Sequence, residues 1–271
     1  MSTEADIKAF EFGELDKNRP GILFLHGWTS SPRELRFLAQ YISEPIICPY
    51  HADTPKKWNG AWCFGPTLPG HASESSDLNQ LTSLDYIRAV THSLETLQAQ
   101  CKRVYIVGMS FGGALALQLA RSNSIAGLIL LAPFINLTDS KILGVSKKSI
   151  VQFLPESTPD INKGEPGIKD PVARSDHFSY SQTSVHSLKV FFDTVDQCTR
   201  DLQEVNTPTL LMHSTNDKTS DFQNSVHILS KISSDDKRLI ALSKSNHIVT
   251  LDYDRNRVEQ EVRNWILTQE Q

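Results

Sequence analysis

The feature that most narrows the folds open to this chain is Val104-Tyr105-Ile106-Val107-Gly108-Met109-Ser110-Phe111-Gly112-Gly113, continued by Ala114 to Arg121. Val104 to Val107 is a short apolar, β-branched run, and Ala114 to Ala120 is made of strong helix formers, so the segment reads as strand, tight turn, helix. In Gly108-x-Ser110-x-Gly112 the serine needs a strained backbone that lifts its Oγ above a sheet. Glycines on either side remove the collisions that side chains would make with the neighbouring strand and helix. A bare GxSxG also occurs in surface turns, and it is the strand-to-helix setting that makes Ser110 a candidate nucleophile.

The rest of the chain supplies strands and helices in the same rhythm. Ile7 to Phe12 alternates as an edge strand does, and Lys17 to Gly21 is turn chemistry. Ile22 to Leu25 is continuously apolar, as a central strand covered on both faces should be. It runs into His26-Gly27-Trp28-Thr29-Ser30-Ser31-Pro32, where Ser31 is placed to cap a helix with Leu35, Leu38, Ala39 and Ile42 inward. Between Ser43 and Gly70 either Ile46 to Cys48 or Ala61 to Phe64 can be the next sheet strand. The second is favoured, which leaves an insertion before it whose Trp58 either shields a pocket or packs within its own loop. Ser83 is placed to cap a helix with Leu84, Ile87, Thr91, Leu94 and Leu97 inward, leading to the Val104 strand.

Strand, helix, strand is the crossover of a parallel sheet. Gly127 to Leu131 is another buried strand. From 134 to 206 the sheet rhythm stops, and Val185, Leu188, Phe191, Phe192, Val195 and Leu202 recur at helical spacing, so this stretch reads as a cap inserted between strands. Thr209 to His213, Phe222 to Ile232, Arg238 to Leu242 and a closing helix with Val258, Val262, Trp265 and Ile266 inward restore the rhythm. The expected fold is one α/β domain over 1–271, a mostly parallel sheet flanked by helices, with a helical cap.

Charge and length exclude several functions. A net charge of -4 leaves no basic stripe for phosphate backbones, so nucleic acid is not expected as a partner. The polar, acidic N-terminus has no export signal and no apolar run is long enough to span a bilayer, so the expectation is a cytoplasmic protein without an integral membrane segment. Cys48, Cys63, Cys101 and Cys198 have no metal-ligand spacing and are expected as thiols, with a Cys48–Cys63 disulfide left open by their proximity in sequence. No cofactor or metal is implied, and the oligomeric state is left open.

In open α/β sheets, active groups gather beyond the carboxyl ends of the strands. Asp217 follows the Thr209 strand and His247 follows the Arg238 strand, giving the chain order nucleophile, acid, histidine. His247 would remove the Ser110 proton, and Asp217 would fix the imidazole tautomer. The other histidines considered are less well placed: His92 and His227 fall on helices, His51, His177 and His186 in loops or the cap, and His26 and His71 beside glycines, where ring nitrogens orient loops. Asp221, Asp193 and Asp196 lack the strand-end placement of Asp217. The backbone N–H groups of Phe111 and Trp28 are placed as oxyanion donors. Trp28, Phe191 and Phe192 are candidate substrate contacts, the last two on the cap helix. Met109, beside Ser110, is either a further contact or a packing residue.

Together, His26-Gly27-Trp28, Leu68-Pro69-Gly70-His71, the serine turn, the Asp217 turn and Ser245-Asn246-His247-Ile248-Val249-Thr250-Leu251-Asp252 resemble the α/β-hydrolase superfamily. They are most similar to its bacterial carboxylesterase and monoacylglycerol lipase branch. The resemblance covers nearly the whole chain apart from the cap and the insertion. It implies hydrolysis of a small-molecule carboxylic ester, a short or medium acyl ester or a monoacylglycerol, through an acyl-serine on Ser110 without a cofactor. Thioester or amide cleavage would use the same residues, and a non-catalytic ligand-binding protein of this fold is the remaining alternative. Two departures stand out: Ala72 where members of the family usually have glycine, and the insertion itself.

Overall fold

The computed structural model describes residues 4–48, 56–135, 141–142 and 145–271. Its frame is a seven-stranded sheet of β1 (Phe10–Phe12), β2 (Gly21–Leu25), β3 (Trp62–Gly65), β4 (Val104–Met109), β5 (Gly127–Leu131), β6 (Thr209–Ser214) and β7 (Lys237–Leu242), in the order β1-β3-β2-β4-β5-β6-β7. Only the edge pair β1 and β3 is antiparallel; every other neighbouring pair is parallel. Central parallel strands lose water on both faces, and β2, β4, β5 and β6 are buried at every position.

Alternation along β4 sends Val104 and Ile106 into the core on one face and Tyr105, Val107 and Met109 into the core on the other. Helices α1 (Arg33–Ser43), α2 (Ser83–Gln100), α3 (Phe111–Ser122), α4 (Val185–Cys198), α5 (Gln223–Lys231) and α6 (Arg255–Gln269) cover these faces. The first core is closed by α2, α3, α4 and α5, and the second by α1 and α6. After β2 the chain places β3 on one side and then crosses to put β4 on the other. The crevice at this reversal opens beyond the ends of β2 and β4, just before Trp28 and at Ser110.

Local details depart from the sequence reading where tertiary contacts override short signals. The first segment is a turn of helix, Glu4–Ile7, before the short edge strand. Pro32 rather than Ser31 occupies the cap position of α1, and the buried Ser31 hydroxyl has no partner in the structure. Thr82 caps α2 through a reciprocal box with Asp85, and Ser83 is the first helical residue. The buried face of α2 is Tyr86, Val90, Leu94 and Leu97, turned so that Leu84 is 49 % exposed. Ile46–Cys48 is a strand, but pairs with Lys56–Trp58 in a separate ribbon and leaves β3 to the main sheet. Trp58 packs in the core with its Nε1–H on Ile42 O (2.7 Å), so it shields no pocket. His51 and much of the insertion lie outside the described residues. Cys63 is a buried free thiol, which removes the Cys48–Cys63 bridge.

Between β5 and β6 the described chain forms the helix Lys147–Phe153, a small ribbon pairing Ile161–Asn162 with Gln182–Thr183, the turn of helix Pro171–Ser175, and α4. The apolar stripe of α4 ends at Cys198, and Leu202 belongs to a separate 3₁₀ turn. The stripe seats α4 on α2 and α3, with Thr194 Oγ1 reaching Ser83 Oγ at 2.9 Å. Among the described residues no helix is long and apolar enough to cross a membrane.

Candidate active site

Ser110 stands between β4 and α3 at φ 53° and ψ -115°, in a region that L residues rarely occupy. Its N–H donates to Leu131 O (3.0 Å), and its carbonyl accepts from Gly113 N–H (2.9 Å) and Phe134 N–H (3.1 Å). The glycine requirement is steric. A Cβ on Gly112 would lie 2.0 Å from Leu25 O, and one on Gly108 would lie 2.4 Å from Gly112 O. The strain at Ser110 is held in place by packing on both sides of the turn.

Three strand ends then converge. Ser110 Oγ lies 2.9 Å from His247 Nε2, and His247 Nδ1 lies 2.7 Å from Asp217 Oδ2. A carboxylate only accepts, so Nδ1 carries the proton and Nε2 turns its lone pair to the serine hydroxyl. Asp217 is itself anchored: Oδ1 accepts from Thr219 N–H (2.8 Å) and Ser220 N–H (2.9 Å), and Oδ2 accepts a second ring N–H from His213 (3.1 Å). The His247 loop is tied down by Asp252, which accepts from Asn246 N–H (2.8 Å) and, from the segment between β5 and β6, from Lys169 N–H (2.8 Å) and Asp170 N–H (3.0 Å). A Cβ on Gly167 would lie 2.5 Å from His247 Cβ, so glycine lets the segment between β5 and β6 rest directly on the histidine.

The electrostatics follow from these contacts. Burial, the largest single influence, pushes the Asp217 carboxyl up, but the His247 imidazole and the hydrogen bonds from His213 and His247 outweigh it and hold Asp217 far below the ordinary carboxylate range. Burial likewise lowers His247, and the attraction and hydrogen bond of Asp217, with the charge of Glu34, more than reverse it, leaving His247 raised.

The loop after β2 is braced by side chains on either side of Trp28. Gly27 N–H donates to Glu34 Oε2 (2.9 Å), and Thr29 N–H donates to His71 Nε2 (3.0 Å). His26 Nε2 accepts from Leu68 N–H (3.1 Å). A ring nitrogen that accepts from an amide must be unprotonated, in keeping with burial drawing His71 down to about 4 and His26 well below its usual value. The two rings therefore hold loops. Phe111, the first residue of α3, has an N–H with no intrahelical partner, and its ring meets that of Trp28 with centroids 5.1 Å apart. Ala72 adopts φ 53°, a conformation for which glycine is the usual choice, directly beside His71.

Above Ser110 is a cavity of about 1540 Å³. Trp28, Phe134, Leu188, Phe191 and Phe192 line one side, and Glu34, Lys163, His177 and Ser179 the other. Phe191 contacts the rings of Trp28, Phe111 and Phe134, with centroids 5.2, 5.5 and 5.2 Å away. Val185 and Val195 are fully buried in the packing of α4 and do not reach the cavity. Met109 is a packing residue and not a substrate contact: strand alternation turns its side chain away into the α1–α6 core, where its Sδ meets Thr250 Oγ1 at 3.6 Å. Asp193 accepts from Gln152 Nε2 (3.1 Å), Asp196 pairs with Lys148, and Asp221 accepts from Gln223 N–H (2.8 Å), whereas Asp217 is the carboxylate on His247 Nδ1. Sequence reasoning passed over His213, which stands four residues before Asp217 at the end of β6, and Glu34, which reads as an ordinary first-turn acid. His177 reads in sequence as a loop or cap residue, although its ring is buried at the cavity wall with Nε2 3.8 Å from Glu34 Oε1.

Residues 59–254 match the family model described as Serine aminopeptidase, S33. The chain is 25 % identical over 236 residues to a thermostable monoacylglycerol lipase of Bacillus sp. (strain H-257), covering 87 % of this chain and 85 % of the relative. It is 22 % identical over 256 residues to a carboxylesterase of Bacillus subtilis (strain 168), covering 94 % of each. Among solved structures, one of the metagenome-derived lipolytic enzymes LipS and LipT superposes with a TM-score of 0.83 at 22 % identity, covering 97 % of this chain and 98 % of the other. A soluble variant of monoglyceride lipase from Saccharomyces cerevisiae, in complex with a substrate analogue, superposes with a TM-score of 0.77 at 20 % identity, covering 96 % and 91 %. With an α/β-hydrolase sheet throughout and a family match across most of its length, the chain belongs to the serine aminopeptidase S33 family of hydrolases.

Proposed function

We propose that this protein cleaves carboxylic esters by acyl transfer to Ser110, with His247 as general base and acid and Asp217 as its orienting carboxylate. The observation that carries the reading is the unbroken line Ser110 Oγ, His247, Asp217, with 2.9 and 2.7 Å links, at the floor of a half-apolar cavity. As Oγ bonds to the substrate carbonyl carbon, its proton passes to His247 Nε2. The carbonyl oxygen becomes an oxyanion held by the N–H groups of Phe111 and Trp28, and the imidazolium returns its proton to the departing alcohol. Water, deprotonated by the same nitrogen, then attacks the acyl-serine and releases the acid and free Ser110. The monoacylglycerol lipase and carboxylesterase named above support an ester leaving group, whereas the family's aminopeptidase description favours an amide. Initial rates on p-nitrophenyl esters of graded chain length, beside acyl thioesters and aminoacyl p-nitroanilides, separate the two. Ester turnover at least about 10²-fold above the anilides is expected, and the reverse order would overturn the ester reading.

Activity requires a neutral His247, so kcat/KM is high above the folded-state pKa of the imidazole and falls as pH drops through it. Because that pKa is raised, the acid limb should have its midpoint above the ordinary histidine value of 6.5. A rate that stays flat down to pH 5 would point to another base.

Residues 134–206 serve in this reading as the cap that roofs the acyl pocket. Each methylene accommodated against Leu188, Phe191 and Phe192 adds up to about 0.8 kcal/mol, roughly fourfold in kcat/KM, until the roof is met. Phe192→Ala removes one lining ring and leaves in place Phe191 with its Trp28 and Phe111 contacts. The chain-length optimum should shift to longer acyl groups in this variant. An unchanged optimum with a lowered melting temperature would reduce the ring to cap packing.

A further inference from the structure

The mechanism above leaves one buried carboxylate of the cavity wall without a role. Glu34 lies in the first turn of α1 with its side chain 5 % exposed, and one of its oxygens accepts from Gly27 N–H at 2.9 Å. A Cβ placed on Gly27 would lie 3.0 Å from Glu34 Oε2 and 3.5 Å from Ser110 Cβ, so carboxylate and serine close on the same point of the loop. Its backbone carbonyl accepts from Thr250 Oγ1 (2.5 Å), three residues beyond His247. One residue thus touches the Trp28 loop and the histidine loop, and packs close beside the serine. A buried charge costs several kcal/mol in desolvation, and its two neighbours, the Gly27 amide and His177 Nε2 at 3.8 Å, return little of it, since a glutamine would serve the amide equally and burial draws His177 toward the neutral form.

We propose that Glu34 is a positioning residue for the hydrolytic reaction: by accepting from the Gly27 N–H, its carboxylate fixes the peptide that leads into Trp28, and so the Trp28 N–H, for oxyanion binding, and it supplies a second negative charge to the His247 imidazolium. The two effects use different properties of the group. Locking needs an acceptor at Oε2, with Gly27 held on one side of Trp28 and Thr29 on the other. Charge stabilisation needs ionisation. His247 forms as imidazolium during both acyl transfers, and the groups acting on it are Asp217 from the β6 loop, Glu34 from α1, and Lys163 and His177 from the cap, with Glu165, Lys169, Arg174, Lys218 and Asp221 elsewhere on the cavity lining. Asp217 and Glu34 favour the charged ring; burial and Lys163 oppose it. Lys163 Nζ is engaged by Thr29 Oγ1 and by Ser179 Oγ (3.1 Å), and His177 is drawn to the neutral form by burial. Glu34 is therefore the second anion of the site and the one not held in direct contact with the ring.

This inference rests on the assignment of Ser110 and His247, and its test separates the two. E34Q keeps an acceptor for Gly27 N–H and removes the charge; E34A removes both. In E34Q the acid limb of kcat/KM should move to lower pH. In E34A it should move likewise, and kcat on the high-pH plateau should fall about tenfold further than in E34Q with KM little changed, as expected when an oxyanion donor is loosened. A structural role alone would lower the melting temperature and leave the limb in place. The His247 ring is also titrated by NMR in the Ser110→Ala background, with and without E34Q, which needs no turnover. A downward shift on loss of the charge is expected. An unmoved titration in E34Q, or E34A with the plateau kcat of E34Q, would overturn the role of Glu34 whatever becomes of Ser110; loss of the Ser110 assignment alone would leave the titration shift standing.

Discussion

Ser110→Ala should reduce kcat on the best ester by about 10⁶-fold, because no other hydroxyl stands within reach of His247 Nε2 in the described structure. The residual rate over water would come from substrate binding and the Phe111 and Trp28 donors. Stability should change little, within about 0.5 kcal/mol, since the Oγ has His247 as its hydrogen-bond partner and alanine keeps the Cβ and the strained φ of 53°. Loss of rate with an unchanged melting temperature identifies chemistry. A variant that retains even a hundredth of the rate would mean that the nucleophile lies elsewhere.

The second large effect is a failure of additivity. His247→Ala alone should cost nearly as much as Ser110→Ala, and combining the two should cost almost nothing more, because a hydroxyl without its base and a base without its hydroxyl are equally idle. Asp217→Asn should lower kcat by about 10⁴-fold by another route. With its amide oxygen kept on the Thr219 and Ser220 N–H groups, its NH₂ faces the ring N–H groups of both His247 and His213. His247 can escape only by moving its proton to Nε2, where it blocks the serine. His213 cannot follow without giving up Ser220 O, to which its Nε2–H is also directed at 2.9 Å. Asp217→Asn should therefore also destabilise the fold, by about 1.5–3 kcal/mol for each charged hydrogen bond lost. Multiplicative losses in the double variants would leave one of the three as scaffold.

Which parts of this were visible in the sequence depends on how local the signal is. β2, β4, β5 and β6 announce themselves because strands buried on both faces must be apolar at every position, and the serine turn does so because glycines at 108 and 112 have a backbone reason to be there. The acid and the histidine follow from the rule of strand ends. Met109 was ambiguous because a residue adjacent to a nucleophile in sequence lies on the opposite side of the sheet when it is the last residue of the strand. Leu84 on α2 belongs to a periodic apolar stripe that the packed helix rotates past, in favour of Tyr86 and Val90. His213 carries a weak signal, a histidine four residues before the acid, that has meaning only once the turn folds Asp217 back onto the strand end. Glu34 and His177 carry none: they are 143 positions apart, and each resembles a solvated residue of its own segment until the cap is laid on the Trp28 loop. Contacts made by the cap depend on tertiary packing, and sequence periodicity does not report them.

The most direct test of the central claim is covalent. Incubation with a fluorophosphonate, followed by intact-mass measurement and peptide mapping, should show one adduct, on the peptide carrying Ser110, formed faster as pH rises through the His247 titration and absent from Ser110→Ala. An adduct on another residue, or an active enzyme that takes no label, would contradict the account.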